Sequence, residues 1–138
     1  MMTTGDVPTM SDSSLAAGSA GPRTVTIDRA QETGGYGLGF NGGDLLLAIG
    51  GCYSQRYFRE GGKRGISVRN VQVTVRADWS GKPVREQNVS VDVAVEADAT
   101  QEDILDLIQH TNRVAEIPNS LRFGTEVKPA EFKAIPLR

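Results

Sequence analysis

Cys52, Arg56 and Arg59 are the residues of this chain whose types and spacing best suit chemistry. Cys52 is the only cysteine, and steps of four and seven residues put both arginines on its side if the segment is helical. A guanidinium near a thiol favours the thiolate, which is the form that attacks an electrophile. The competing reading makes Cys52 a small buried hydrophobe on the same stripe as Leu45 and Ile49, with Arg56 extending along an apolar groove to water. Spacing alone leaves both open.

Other motifs carry less. Gly37 to Gly42 fit the G-x-G-x-x-G pattern of a dinucleotide turn. However, polar residues precede it where a buried strand is needed, and Gly61-Gly62-Lys63-Arg64-Gly65 stands where an acidic residue is expected. The nucleotide reading is rejected. His110 is the only histidine and sits off the apolar stripe of its segment, as a solvent-facing or interface residue would. One Cys and one His cannot make a tetrahedral metal site, so neither metal nor cofactor is expected. Glu102, Asp103 and Asp106 read as the solvated, acidic opening of a helix, and Tyr53 and Trp79 as packing residues.

The elements that position these residues follow from pattern. Residues 1–21 are small and polar and read as a flexible tail, leaving a single domain over 22–138. Arg23 to Asp28 alternate as a strand, and Tyr36, Leu38 and Phe40 suggest another short one. From Asp44, a suitable N-cap, to Glu60 the apolar spacing is helical. Gly50-Gly51 lies inside that helix at a cost of about 1 kcal/mol per glycine, which implies close approach of another backbone, most simply a second helix. Two alternating segments, 66–79 with a phase shift near Asn70 and 87–97, form an antiparallel hairpin around "SGKP". A second helix starts after Thr100, with Ile104, Leu107, Ile108, Thr111 and Ala115 as its buried stripe. Pro118 interrupts it, "NSLRFG" gives a further helical turn, and the final residues hold one strand at most. This order argues for an α+β fold.

Composition adds limits. The formal charge is −2, from 15 basic and 17 acidic residues that are interspersed, which predicts neither a nucleic-acid nor a membrane-surface partner. No apolar run nears the ~20 residues of a membrane span, and no secretory signal is evident. A lone cysteine suits a reducing compartment, so the expected location is cytoplasmic and the "NVS" at Asn88 an accidental sequon.

"GGDLLLAIGGCY", "KRGISVRNVQVTV" and "VAEIPNSLRFGTEV", in this order over roughly residues 23 to 127, resemble the OsmC/Ohr family of thiol-dependent peroxidases and their relatives. The resemblance implies an OsmC-like α+β fold with antiparallel sheets, two central packed helices and an intertwined homodimer with sites at the subunit interface. It gives Cys52 the place of the thiol that attacks an organic hydroperoxide. The second cysteine of peroxidatic members would precede a proline late in the chain, where Ile117 precedes Pro118. Members also hold the thiolate with an N-terminal arginine and a glutamate opening the first helix. Here Gly42-Gly43 occupies the usual Pro-Glu position, Asp44 is the nearest carboxylate, and Arg23 or Arg29 stands in for the arginine. The expectation is a one-cysteine peroxidase acting on small organic hydroperoxides and regenerated by an external thiol. The alternatives are a non-catalytic homodimer that binds a small apolar or acyl ligand at its interface, and a purely structural dimer.

Overall fold

The computed structural model describes residues 2–37 and 41–137. The chain divides into two compact units, residues 1–45 and 46–138.

The first unit contains a three-stranded antiparallel sheet of β1 (Gly5–Asp6), β2 (Ala16–Ala20) and β3 (Arg23–Ile27), in that spatial order. The strand expected at 23–28 is β3. Residues 1–21 were expected to be a flexible tail, and the structure differs: all five residues of β2 pair with β3, from Ala16↔Ile27 to Ala20↔Arg23. The two strands join through Gly21, whose φ of 56° suits glycine. Main-chain pairing, rather than side-chain burial, makes this strand, and Ala16 is one of the few buried residues it brings. Tyr36 belongs to no strand, while Leu38 and Phe40 lie outside the described residues.

The helix α1 (Asn41–Lys63) begins before the predicted start, so Asp44 lies within its first turn rather than at the cap. A carboxylate there still complements the helix dipole. Beyond it the hairpin forms as expected from β4 (Ser67–Ser80) and β5 (Arg85–Asp98). Val71↔Val95, Val73↔Val93 and Val75↔Val91 face each other across it. The register shifts once between Val68 and Asn70, where the alternation changes phase, and again between Arg76 and Asp78. The second irregularity has Asn88 opposite, at φ 53°, with its amide donating to Asp78 Oδ2 at 3.0 Å.

Helix α2 (Gln101–Val114) is capped as predicted: the Thr100 hydroxyl accepts from the Asp103 N–H at 3.1 Å. The chain leaves helical geometry at Ala115 (ψ 116°) and resumes as α3 (Glu116–Phe123), with Pro118 tolerated in its first turn. Gly124, at φ 68°, closes α3 by donating its N–H to the Leu121 carbonyl. Residues 125–137 contain no strand.

Within residues 46–138, α1 and α2 run antiparallel, linked by Tyr53–Asn112 near one end and Arg64–Asp106 near the other. Leu107, Thr111 and Ala115 of the predicted stripe are buried, with Ile104 and Ile108 half-buried. A Cβ on Gly50 would meet Val75 Cγ2 at 3.3 Å and Val73 at 3.8 Å, so among the described residues the close neighbour of Gly50 is strand β4, where a second helix was expected. Among the described residues, nothing lies within 4 Å of that position on Gly51. Gly61 is tighter, 2.7 Å from Val68 Cγ2, and lets α1 seat on the start of β4. Among the described residues, no helix is long and apolar enough to cross a membrane.

Candidate functional site

Cys52 lies in the middle of α1 as a free, half-buried thiol. Its neighbours are set by the helix. Ile49 and Tyr53 are buried, while Gly51 has no close neighbour among the described residues. Arg56, one turn on, donates from Nη2 to Oε1 of Glu116 in the first turn of α3. The Arg56 side chain is only 13% exposed and the Glu116 side chain 75% exposed, so the cation lies along the helix with its counter-ion at the surface. The charge expected to act on the thiol therefore has a carboxylate partner within the chain. Arg59 is exposed.

Beside this turn lies a polar junction that sequence reasoning missed. The buried Tyr53 donates its hydroxyl to Asn112 Oδ1 at 2.7 Å. Arg122 of α3 then donates through Nη2 to Tyr53 Oη (2.8 Å) and Asn112 Oδ1 (2.6 Å). Its Nη1 donates to the Asn112 carbonyl (2.9 Å) and to Asn119 Oδ1 (2.8 Å). One guanidinium thus ties α1, α2 and α3 together with the planar fork that lysine lacks. No local signal announces this, since Tyr53 and Arg122 are 69 residues apart.

One turn further along α1, Tyr57 stacks on Tyr53 at 6.3 Å between ring centroids. Burial, with a smaller contribution from Tyr53, pushes its phenol up to about 12, so it stays neutral. Glu60 is buried next. Burial alone would raise its carboxyl, but the Lys63 ammonium at 3.3 Å, with His110 and Arg59 behind it, outweighs that and holds it below the usual range. His110 Nε2 lies 3.8 Å from Glu60 Oε2, which places the histidine at the α1–α2 contact.

Arg23, Arg29 and Asp44 belong to the first unit. Arg23 opens β3 and is exposed, and Asp44 is exposed in the first turn of α1. The Arg29 side chain lies against Gly34, 3.1 Å from where a Cβ would stand. Its backbone N–H serves Asp28, the residue this region is built around and a second one the sequence reading missed. Buried Asp28 accepts from the Ser14 hydroxyl (2.5 Å), the Arg29 N–H (2.8 Å) and the Tyr36 N–H (2.7 Å). Of the predicted site residues, Cys52 and Arg56 thus share adjacent turns of one helix. Ile117, which the resemblance puts where a second thiol would stand, is exposed, ahead of buried Pro118. Among the described residues, no cluster of His, Cys, Asp and Glu is suited to a metal ion.

A sequence profile described as OsmC-like protein matches residues 35–130, well over half of the chain. The chain belongs to the OsmC-like family. Solved structures extend the likeness of this OsmC-like chain to the fold. An OsmC-like protein from Mycoplasma pneumoniae superposes with a TM-score of 0.72 at 15% identity, covering 88% of each chain. An organic hydroperoxide resistance protein from Elizabethkingia anophelis, with thiocyanate bound, gives 0.60 at 13% identity over 90% of each chain. An organic hydroperoxide resistance protein from Legionella pneumophila, described as a predicted redox protein, gives 0.57 at 16% identity over 88% of this chain and 90% of its own. No curated protein gives a significant match. In the OsmC-like chain the α+β architecture with antiparallel sheets is thus both observed and shared.

Proposed function

We propose that this OsmC-like chain is a one-cysteine thiol peroxidase acting on small organic hydroperoxides, with Cys52 as the attacking group. The observation that carries the reading is a half-buried free thiol one turn from Arg56, in a family whose solved relatives include organic hydroperoxide resistance proteins. The Cys52 thiolate attacks the distal peroxide oxygen in line with the O–O bond. That bond breaks, the alkoxide leaves and takes a proton to become the alcohol, and Cys52 becomes a sulfenic acid. With Ile117 ahead of Pro118, an external thiol condenses with the sulfenic acid and releases water. A second external thiol then frees Cys52 and leaves as the disulfide. Arg56 stabilises the thiolate; the alternative is an N-terminal arginine across the dimer, the partner subunit's Arg23 or the partner subunit's Arg29, with Asp44 the carboxylate that would orient it. The working form is a homodimer, a reading supported by Leu47 and Phe58, which stand exposed on α1 at 73% and 49%. A reducing cytoplasm suits both the free thiol and its reductant.

One observation favours a second reading, a non-catalytic homodimer holding a small apolar or acyl ligand: Arg56 is already paired with Glu116. Intact mass after brief treatment with one equivalent of cumene hydroperoxide, beside Cys52→Ser, separates the two. Fast gain of one oxygen, trapped by a sulfenic-acid reagent and absent in the variant, is the expected result. An unmodified thiol after prolonged exposure overturns the peroxidase reading. Equal stabilisation of both proteins by a medium-chain fatty acid then supports the ligand-binding one.

A further inference from the structure

Residues 125–137 follow Gly124 as an arm with neither helix nor strand. Val127, Phe132, Ile135 and Leu137 stand 74% to 98% exposed, and beyond Thr125 the main chain makes no hydrogen bond among the described residues. One aromatic and three large aliphatic side chains in so short an arm are not the composition of a solvated tail. The pattern is that of an unpaired strand. Ala130, Phe132 and Ala134 alternate with Glu131 and Lys133, and Pro129 and Pro136, which lack the N–H that a ladder needs, bound the run.

The hairpin has room for such a strand. It is a two-stranded sheet, so among the described residues β4 and β5 each keep one edge unpaired over 14 residues. A long unpaired edge is a template for another chain. Between the two register shifts, residues 90–96 of β5 pair regularly with β4, a stretch about as long as the 130–135 run. Val91, Val93 and Val95 are only half-buried there, and a Phe at this edge would extend their layer.

Charge separates the two edges. The exposed face of β5 carries Asp92, Glu96 and Asp98 and no base, whereas that of β4 carries Arg69 and Arg76. Arg76 engages Asp92 and Arg69 engages Asp98, while Glu96 has no ion pair among the described residues. Lys133 has the charge to meet it. With Lys133 beside Glu96, a parallel strand puts Phe132 beside Val95 and Glu131 beside the uncharged Ala94. An antiparallel one would put Glu131 against Asp98.

We propose that residues 130–135 add as a third, parallel strand to the β5 edge of a second copy of this chain, with Lys133 beside Glu96 of the partner subunit. The apolar side chains of the arm meet almost nothing of their own chain. An exchange in which each copy gives one arm and offers one edge closes at two. The proposal rests on the homodimer reading, for which it names the segment that crosses, and is independent of the thiol chemistry.

The test swaps the two charges in full-length protein and follows the dimer by sedimentation equilibrium. Lys133→Glu alone and Glu96→Lys alone each set like charges side by side at both contacts, and the dissociation constant should rise about tenfold. In an equimolar mixture the arm of either variant meets an opposite charge on the edge of the other, and the constant should return to within about threefold of wild type. An arm that folds back on its own chain gains nothing from mixing. The wild-type dimer gives a second readout that needs no variant: the outward amides of residues 90–96 should exchange about tenfold more slowly than the outward amides of β4. A mixture no tighter than the single variants overturns the proposal, as do outward β5 amides that exchange as fast as those of β4. Either result from a protein that is still a dimer leaves the homodimer reading standing while the exchanged strand fails. A wild-type monomer removes both.

Discussion

The hairpin β4–β5 and the N-terminal sheet β1–β3 are both antiparallel, but they are held by different forces. The hairpin strands are 14 residues each, and valines pair across them at Val71↔Val95, Val73↔Val93 and Val75↔Val91. Their alternate residues are exposed, so one face is apolar and the other wet. Strand β2, by contrast, reads Ala-Ala-Gly-Ser-Ala and has almost no side chain to bury. The region is organised at its end by the Asp28 carboxylate, which draws Ser14, Arg29 and Tyr36 together. A sheet made by side-chain packing should fail when its packing is cut. One made by backbone pairing around a polar hub should fail when the hub or its turn is disturbed.

The largest effect is expected where packing dominates. Leu107 is fully buried in α2 and lies by Gly61, 3.6 Å from that residue's Cβ position. Leu107→Ala should cost about 3 kcal/mol of stability in denaturant titration, through lost burial and a residual cavity. A loss below about 1 kcal/mol would mean that the site collapses around the gap, and that packing is a weaker constraint here than its burial suggests.

Next comes the turn after Asp28. A Cβ on Gly35 would stand 2.1 Å from the Arg29 carbonyl oxygen, a backbone atom that cannot move aside cheaply. Gly35→Ala should cost about 2 kcal/mol, and its effect should be local. Amide exchange should speed up at Tyr36 and Gly37, which donate to Asp28 and to the Arg29 carbonyl, while the β4–β5 amides keep their protection. Equal loosening of the hairpin would remove the distinction between the two sheets. Val73→Ala is the smaller counterpart in the hairpin: its side chain is half-buried against Val93 and the Gly50 turn, so about 1 kcal/mol is expected. Protection should fall along β4 and β5 and stay unchanged in β2 and β3.

The same contrast explains what the sequence disclosed. Valine alternation marked both hairpin strands and even the first register shift, because a period of two is a direct trace of one-sided burial. Thr100 announced α2 because its hydroxyl satisfies a local backbone amide. Cys52 and Arg56 could be placed on one helix side from their spacing alone. Strand β2 was illegible because alanine, glycine and serine carry no periodic signal and pair only through the main chain. Gly50 was legible as a close approach, though its partner was not, since nothing local distinguishes a valine of β4 from a neighbouring helix. The Tyr53–Asn112, Tyr53–Arg122 and Arg56–Glu116 contacts join residues 59 to 69 apart, and Asp28 collects Ser14 and Tyr36 from either side. Such polar contacts are set by topology, which a linear pattern does not encode.

The smallest predicted effect is also the most selective. The Ser14 hydroxyl, and then the Tyr36 and Arg29 amides, hold the Asp28 carboxyl below its ordinary value despite burial. A carboxyl whose folded value lies below its unfolded one, about 3.9, adds stability above that pH and loses it as pH falls through the folded value. Acid should therefore loosen the Asp28 turn progressively below about pH 4, while the facing valines of β4 and β5 carry no group to titrate. The check is an NMR pH titration of the Tyr36 amide, which reports the carboxylate it donates to. Its midpoint should lie below the ordinary aspartate value, and it should move upward in Ser14→Ala, because Ser14 supplies the largest lowering influence. A Tyr36 midpoint at the ordinary value in the wild-type protein would mean that the carboxylate is not the organiser of this turn. The N-terminal sheet would then have to be held by its backbone ladder alone.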